Sequence, residues 1–237
     1  MDSLDAVLNR LSLGVSSDKT AILVRYAALI RENSERAGLT SRGDVAAIEQ
    51  RHFAESLALL LALEERGLAR DPVIDIGSGA GFPGLPIKIF RPELRMTLLE
   101  ANAKKAAFLE RVIAELALKG VDVVNERAED TARLPDHRGI YALAMARTVA
   151  PLRVLLELAL PLLQLGGVLA APKGSAATRE ITEAEDALRE LGGVVEETWP
   201  LGPPLAGPTP TVVLVRKRVD TPERYPRRAG IPRKRPL

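Results

Sequence analysis

The sequence predicts an α/β protein: seven strands in a mostly parallel sheet that closes on an antiparallel hairpin, preceded by a helical extension. Three observations predict it. Val73-Ile74-Asp75-Ile76 is an apolar run with one acid that leads into glycines at 77, 79 and 81, the pattern of a buried strand entering a tight turn. Beyond it, strand-like and helix-like stretches alternate as far as residue 191, as βαβ units and a parallel sheet require. The last two strand-like stretches, 194–199 and 211–217, are separated only by a Pro- and Gly-rich connection, so they are expected to pair antiparallel at the sheet's edge.

Taken in order, residues 2–67 place apolar side chains at helical spacing: Leu4, Val7, Leu8 and Leu11, then Ile22, Leu23, Tyr26, Leu29 and Ile30, then Val45, Ile48, His52, Leu59 and Leu63. Gly14, Gly38 and Gly43 punctuate them. After the first strand, Pro83 and Pro92 confine any helix to a few residues, because proline is tolerated only in a first helical turn. Residues 95–100 read as the second strand, 104–118 as an amphipathic helix closed by Gly120, and 121–124 as the third strand. A fourth strand over 141–146 precedes a buried helix over 154–165 that Gly166-Gly167 ends. Residues 168–171 make the fifth strand and 178–191 the last helix. The expected division is a helical extension at 1–70, a sheet domain at 71–218 and a basic tail at 219–237.

Composition bounds what the chain can do. At 237 residues and 46% hydrophobic, it can bury a sizeable core. It has no cysteine, hence no disulfide, thiolate metal site or cysteine nucleophile, and its two histidines, His52 and His137, are too few and too far apart to suggest zinc. No metal is expected. Neither a long apolar span nor an amino-terminal signal is evident, so no membrane partner is expected and the compartment is expected to be cytoplasmic. The net charge of +2 conceals an asymmetry: residues 216–237 hold nine Lys or Arg against two acids, leaving 24 against 29 for residues 1–215.

The glycine loop narrows the chemistry. A dinucleotide fingerprint would carry its third glycine at position 82, where this chain has Phe, so an NAD(P) oxidoreductase is disfavoured. G-x-G-x-G after an apolar-Asp-apolar strand instead resembles the first motif of Rossmann-like methyltransferases that bind S-adenosylmethionine. Glu100 ends the second strand, 25 residues after Asp75, where a carboxylate can accept hydrogen bonds from both ribose hydroxyls of an adenosine. Ala128-Glu129 falls just beyond the third strand, where an adenine amino group would lie.

A longer series of residues resembles one family. Arg51-His52-Phe53-Ala54-Glu55-Ser56, the loop from Asp75 to Pro86, Glu100-Ala101-Asn102-Ala103-Lys104-Lys105, Ala128-Glu129, Ala146-Arg147, Pro172-Lys173-Gly174 and the segment from Tyr225 to Leu237 occur together and in order. The series resembles the bacterial methyltransferases that modify guanine N7 in 16S ribosomal RNA, the glucose-inhibited division protein B type. The resemblance implies a Rossmann-like class I methyltransferase fold. It implies S-adenosylmethionine contacts at Gly77, Gly79, Phe82, Glu100, Ala101, Asn102, Ala128, Glu129 and Arg147. It also implies 16S rRNA, or the small ribosomal subunit, as partner near His52, Lys173 and the tail residues Arg224, Arg227, Arg228, Arg233, Lys234 and Arg235, with no obligate protein partner. Two positions depart from the family pattern: Gly38 stands where Asn is usual, and Glu55 where Asp is usual.

The residue inventory agrees with that chemistry. Cytosine-C5 methylation generally needs a cysteine, and adenine-N6 enzymes carry an Asn/Asp-Pro-Pro-aromatic motif where this chain reads Ala146-Arg147-Thr148-Val149. Guanine N7 already exposes a lone pair, so its methylation needs positioning and no general base, and positioning can supply ~7–11 kcal/mol of a barrier. No catalytic side chain is therefore required. Each site candidate has a plainer reading too: His52 as a core histidine, Arg147 as the partner of a structural carboxylate, Lys173 as a structural cation, and the tail as a solvated charge run. Tyr225, Ile231 and the tail's prolines favour an extended, partly docked segment available for phosphates. The alternative from another class is an RNA-binding module whose domain no longer catalyses.

Overall fold

The computed structural model describes residues 4–13, 16–37, 48–202 and 209–237. Gly14, Gly38, Gly43 and Val45, and with Gly38 one of the two departures noted above, lie outside them, as does most of the connection between the last two strands. Seven strands form one sheet in the order β3-β2-β1-β4-β5-β7-β6. They are β1 Val73–Ile76, β2 Met96–Leu99, β3 Val121–Val124, β4 Tyr141–Met145, β5 Leu163–Lys173, β6 Gly193–Pro200 and β7 Thr211–Lys217. The first five pair parallel, with Asp75 of β1 opposite Leu98 of β2 and Met145 of β4, whereas β7 runs antiparallel to both β5 and β6. The chain thus starts in the middle of the sheet, winds to one edge and then returns to the other. Such a reversal opens a crevice at the carboxyl ends of the central strands.

Helices cover both faces. On one lie α1 Leu4–Arg10, α2 Ser17–Ala37, a π-helical turn Ile48–Phe53 that runs into α3 Ala54–Glu65, α4 Gly84–Phe90 and α5 Ala103–Glu115. Apolar residues of α1, α2 and α3 share a single buried cluster with β1, β2 and β4, so the amino-terminal helices complete the core of this face. Asn102 starts α5 by accepting from the amides of Lys104 and Lys105, as an N-cap should. On the other face lie a helical turn α6 Ala128–Thr131, α7 Leu152–Ala159, α8 Ala177–Thr182 and α9 Glu185–Leu191, with a last helical turn, α10 Ile231–Lys234, in the tail. No helix among the described residues is long and apolar enough to cross a membrane.

The structure departs from the sequence expectations in three places. The helix expected over 154–165 ends at Ala159, because Pro161 has no N–H to continue the ladder, and Leu163 already pairs with Tyr141 as the first residue of a bulged β5. The helix expected over 178–191 is two, α8 and α9, with no glycine or proline at the break. The tail is docked, but through turns and the helical turn Ile231–Lys234 and not as an extended segment. Arg138 reaches across it to donate to the carbonyls of Thr221, Pro222 and Tyr225 at 3.0, 3.3 and 2.8 Å, Tyr225 is buried, and the Gly230 amide donates to Glu129 Oε1 at 2.8 Å.

Candidate active site

The loop after β1 is built to let something approach its backbone. Gly77, Gly79 and Gly81 have φ of +69°, +60° and +100°, a region glycine enters without strain. A Cβ on Gly77 would meet Val149 at 2.9 Å, whereas one on Gly79 would meet nothing nearer than a carbonyl at 3.9 Å, so the loop is tight on one side and open on the other. Glu100 holds it: Oε2 accepts from the Gly79 amide at 2.9 Å and Oε1 from the Asn102 amide at 2.8 Å. The carboxylate thus lies directly beside the loop, at the carboxyl end of β2.

A cleft of about 790 Å³ opens over this loop. Of the residues singled out in the sequence, His52, Gly77, Gly79, Phe82, Glu100, Arg147 and Lys173 line it, although they come from five different segments. Its aromatic wall is a stack. The His52 ring lies over Phe82 at 5.0 Å and 26°, and Phe82 in turn packs on Tyr26 and Phe53. The Arg147 guanidinium sits over Phe82, 5.2 Å from its centroid, and pairs with Glu55 at 2.7 Å. The plainer reading of Arg147, a partner for a carboxylate, therefore holds alongside its place in the cleft. Lys173, at the end of β5, donates to the Ala150 carbonyl at 2.6 Å and pairs with Glu180 at 2.9 Å.

Other predicted residues lie apart from the cleft lining. Ala101 and Asn102 are exposed beside Glu100, while Ala128 and Glu129 are buried at the start of α6, where Glu129 anchors the tail. Two of the tail cations are engaged within the protein. Arg227 grips the buried carboxylate of Glu157 with its backbone amide, Nε and Nη2, at 2.6 to 3.2 Å, and Arg224 pairs with Glu190 at 2.6 Å. Arg228, Arg233, Lys234 and Arg235 are exposed and have no ion pair among the described residues.

Sequence reasoning missed several lining residues: Lys105, Thr148, Val149, Ser175, Thr209 and Pro210. Thr148 has φ +55°, unusual for a β-branched residue, and such strain persists where surrounding structure imposes it, often at a functional loop. Its signal is its place directly after the fourth strand, where adenine-N6 methyltransferases carry a catalytic motif, but nothing in the residue itself marks the strain. Lys105 had a signal, its place in the first turn of the helix that follows Glu100. Among the described residues, no group of three or more His, Cys, Asp or Glu could hold a metal ion.

The profile of the family described as "rRNA small subunit methyltransferase G" matches residues 19–201. A protein named ribosomal RNA small subunit methyltransferase G from Roseiflexus castenholzii is 44% identical over 237 residues, covering 100% of both chains. Its namesake from Pelotomaculum thermopropionicum is 43% identical over 213 residues, covering 90% of this chain and 88% of that one. Solved structures share the fold at low identity. A Pyrococcus horikoshii transferase has a TM-score of 0.53 at 17% identity, over 68% of this chain and 63% of that one. TYW2 of M. jannaschii, solved with AdoMet, has 0.50 at 16%, over 67% and 76%. The [4+2]-cyclase SpnF is as near, with 0.52 at 16% over 70% and 81%, so the likeness in structure speaks for the fold and not for the reaction. The sequence relationship is far closer and runs the whole length: the chain belongs to the rRNA small subunit methyltransferase G family.

Proposed function

We propose that this protein is an S-adenosylmethionine-dependent methyltransferase that methylates N7 of a guanine in 16S ribosomal RNA. The observation that carries the reading is the pairing of an open, positive-φ glycine loop with the Glu100 carboxylate at the base of one cleft, in a chain of this family. The residues fit the cofactor. Gly77 and Gly79 leave backbone exposed to it, Glu100 has lone pairs left for ribose hydroxyls after binding two amides, and Phe82 offers an aromatic neighbour. Ala101, Asn102, Ala128 and Glu129 extend this side, and Arg147 borders it.

Bound S-adenosylmethionine supplies an electrophilic methyl group. The chain's own task is to hold the base in line with it, because N7 presents its lone pair without losing a proton. His52 and Phe82 form the stack against which a base can lie, and aromatic stacking of an unpaired base is worth ~1–3 kcal/mol. Lys173, clamped by Ala150 and Glu180, keeps a cation at the cleft wall. Residues 219–237 are read as the RNA-facing tail, residues 71–218 as the catalytic unit and residues 1–70 as its helical supplement. The site of action is the cytoplasm, on free rRNA or the small subunit.

Incubation with labelled S-adenosylmethionine and either form of the RNA tests the reading directly. Label at N7 of a single guanine supports it. Binding of RNA without transfer favours the non-catalytic RNA-binding module, and label on another atom or base overturns it.

A further inference from the structure

We propose that Glu55 reads the Watson–Crick edge of the target guanine and so sets the enzyme's choice of base, an inference that rests on the guanine-N7 reading above. Only two carboxylates line the cleft among the described residues, Glu55 and Glu100. Glu100 lies beside the glycine loop, bound to the amides of Gly79 and Asn102, and its remaining lone pairs are assigned above to the ribose hydroxyls. Glu55 belongs to the first turn of α3, directly after the π-helical turn that carries His52, and local widening of a helix of this kind is frequent at functional sites. Its side chain is 12% exposed, with Oε2 accepting from Arg147 at 2.7 Å and Oε1 lying 3.5 Å from Arg51 Nε.

A carboxylate has about four lone-pair sites, so these two contacts leave acceptor capacity on both oxygens. Arg147 also neutralises the charge, so a neutral base can approach without displacing a solvated anion. Guanine alone among the four bases offers two adjacent N–H donors, at N1 and N2, which match two carboxylate oxygens. Adenine, cytosine and uracil each set an acceptor where the second donor is needed. A guanine that presents N7 to the reacting side carries that donor pair on the opposite edge of the purine, where a second group must hold it. The His52–Phe82 stack lies beside Glu55 in the same cleft, so base plane and base edge have adjacent partners.

Inosine separates this role from a purely structural one, because it keeps N7 and N1–H but lacks the N2 amino group. The substrate is small-subunit rRNA, ligated with guanosine or inosine at the one labelled position. Loss of one hydrogen bond to a charged acceptor predicts that the wild-type enzyme is slower on inosine by roughly 10- to 100-fold in kcat/KM. In E55Q the guanosine rate falls, and the ratio between the two substrates shrinks to a few-fold. E55D, which keeps the carboxylate, retains more of the ratio than E55Q, and it decides the matter should E55Q fail to fold. If Glu55 serves only to hold Arg147, E55Q slows both substrates and leaves the ratio unchanged, which overturns the proposal. A wild-type enzyme that accepts inosine and guanosine equally also overturns it while leaving the guanine-N7 activity intact, whereas failure to label any guanine overturns that activity first.

Discussion

Asp75 occupies the middle of the parallel sheet with its side chain wholly buried, Oδ2 accepting from the Gly84 amide at 3.0 Å and Oδ1 without a hydrogen-bond partner among the described residues. Burial pushes its pKa from 3.8 up to about 7, against the opposing pull of the Gly84 amide and of nearby Arg147. The folded protein therefore holds this proton more tightly than the unfolded chain does. Between about pH 4 and pH 7 the native state binds more protons, so stability falls as pH rises through that window. Roughly three pH units at ~1.4 kcal/mol each set an upper bound on the order of 4 kcal/mol. Asp75→Asn keeps an acceptor for Gly84 and removes the titration. Denaturant unfolding of the cofactor-free protein should show the variant gaining on the wild type steadily from pH 4.5 to 7.5, and a constant difference across that range would contradict the assignment. Glu100 works through the contacts its oxygens accept. Glu100→Ala should weaken S-adenosylmethionine binding by about 1.5–3 kcal/mol, since hydrogen bonds to a charged acceptor are lost. Part of that loss will come through Gly79 and Asn102, whose amides lose their acceptor. Calorimetry that finds unchanged affinity in a folded variant would remove Glu100 from the cofactor site.

Elements defined by local pattern were legible in the sequence, and elements defined by distant partners were not. The glycines at 77, 79 and 81, the alternation of strand and helix, and the paired prolines at 83 and 92 each constrain their own neighbourhood, and the structure follows them. The stretch from Leu158 to Leu163 is apolar throughout, so periodicity could not tell where α7 ends and β5 begins; only pairing with Tyr141 decides it. The cleft was half legible for the same reason. Its loop and Glu100 sit in one local motif, but Arg147 meets Glu55 across 92 positions and Arg227 meets Glu157 across 70. The second of these pairs makes the tail an element. Glu157 is fully buried in α7, and the Arg227 contacts hold it from both backbone and guanidinium, which also keeps the arginine more firmly protonated. Removing one partner of a buried pair costs about 3–5 kcal/mol when the other is left uncompensated. The two halves should differ. Arg227→Leu strands a carboxylate inside the protein and should cost about that much, whereas Glu157→Leu leaves an arginine that can turn to solvent and should cost roughly half as much or less. Equal thermal destabilisation by the two variants would mean that the tail's docking rests on its other contacts.

At the scale of the whole molecule, charge is the organising quantity. Residues 1–215 carry 24 basic against 29 acidic side chains, while residues 216–237 carry nine against two. A protein whose partner is a polyanion needs a concentrated basic surface, since the acidic remainder repels it at long range. Arg216 and Arg218 pair with Glu196 and Lys217 is buried, and docking of the tail sorts the other six cations into two groups. Arg224 and Arg227 are spent on Glu190 and Glu157, whereas Arg228, Arg233, Lys234 and Arg235 stay exposed around the helical turn Ile231–Lys234. On the proposed reading the tail is a structured platform for phosphates: the first pair fixes it to α7 and α9, and the second four are exposed. If all four contact RNA phosphates, counterion release predicts that they contribute roughly −3 to −4 to the slope of log affinity against log salt. Neutralising these four together should flatten the slope by about that amount and raise KM for RNA, while S-adenosylmethionine affinity and thermal stability stay close to wild type. The contrast with Arg227→Leu is the decisive control, because that variant should lose stability first and RNA affinity only as the platform comes loose. Should the four-fold variant keep the wild-type salt slope, the exposed cations are solvent-facing only, and the RNA must be held by the basic residues of the cleft, Arg51, Lys105 and Lys173.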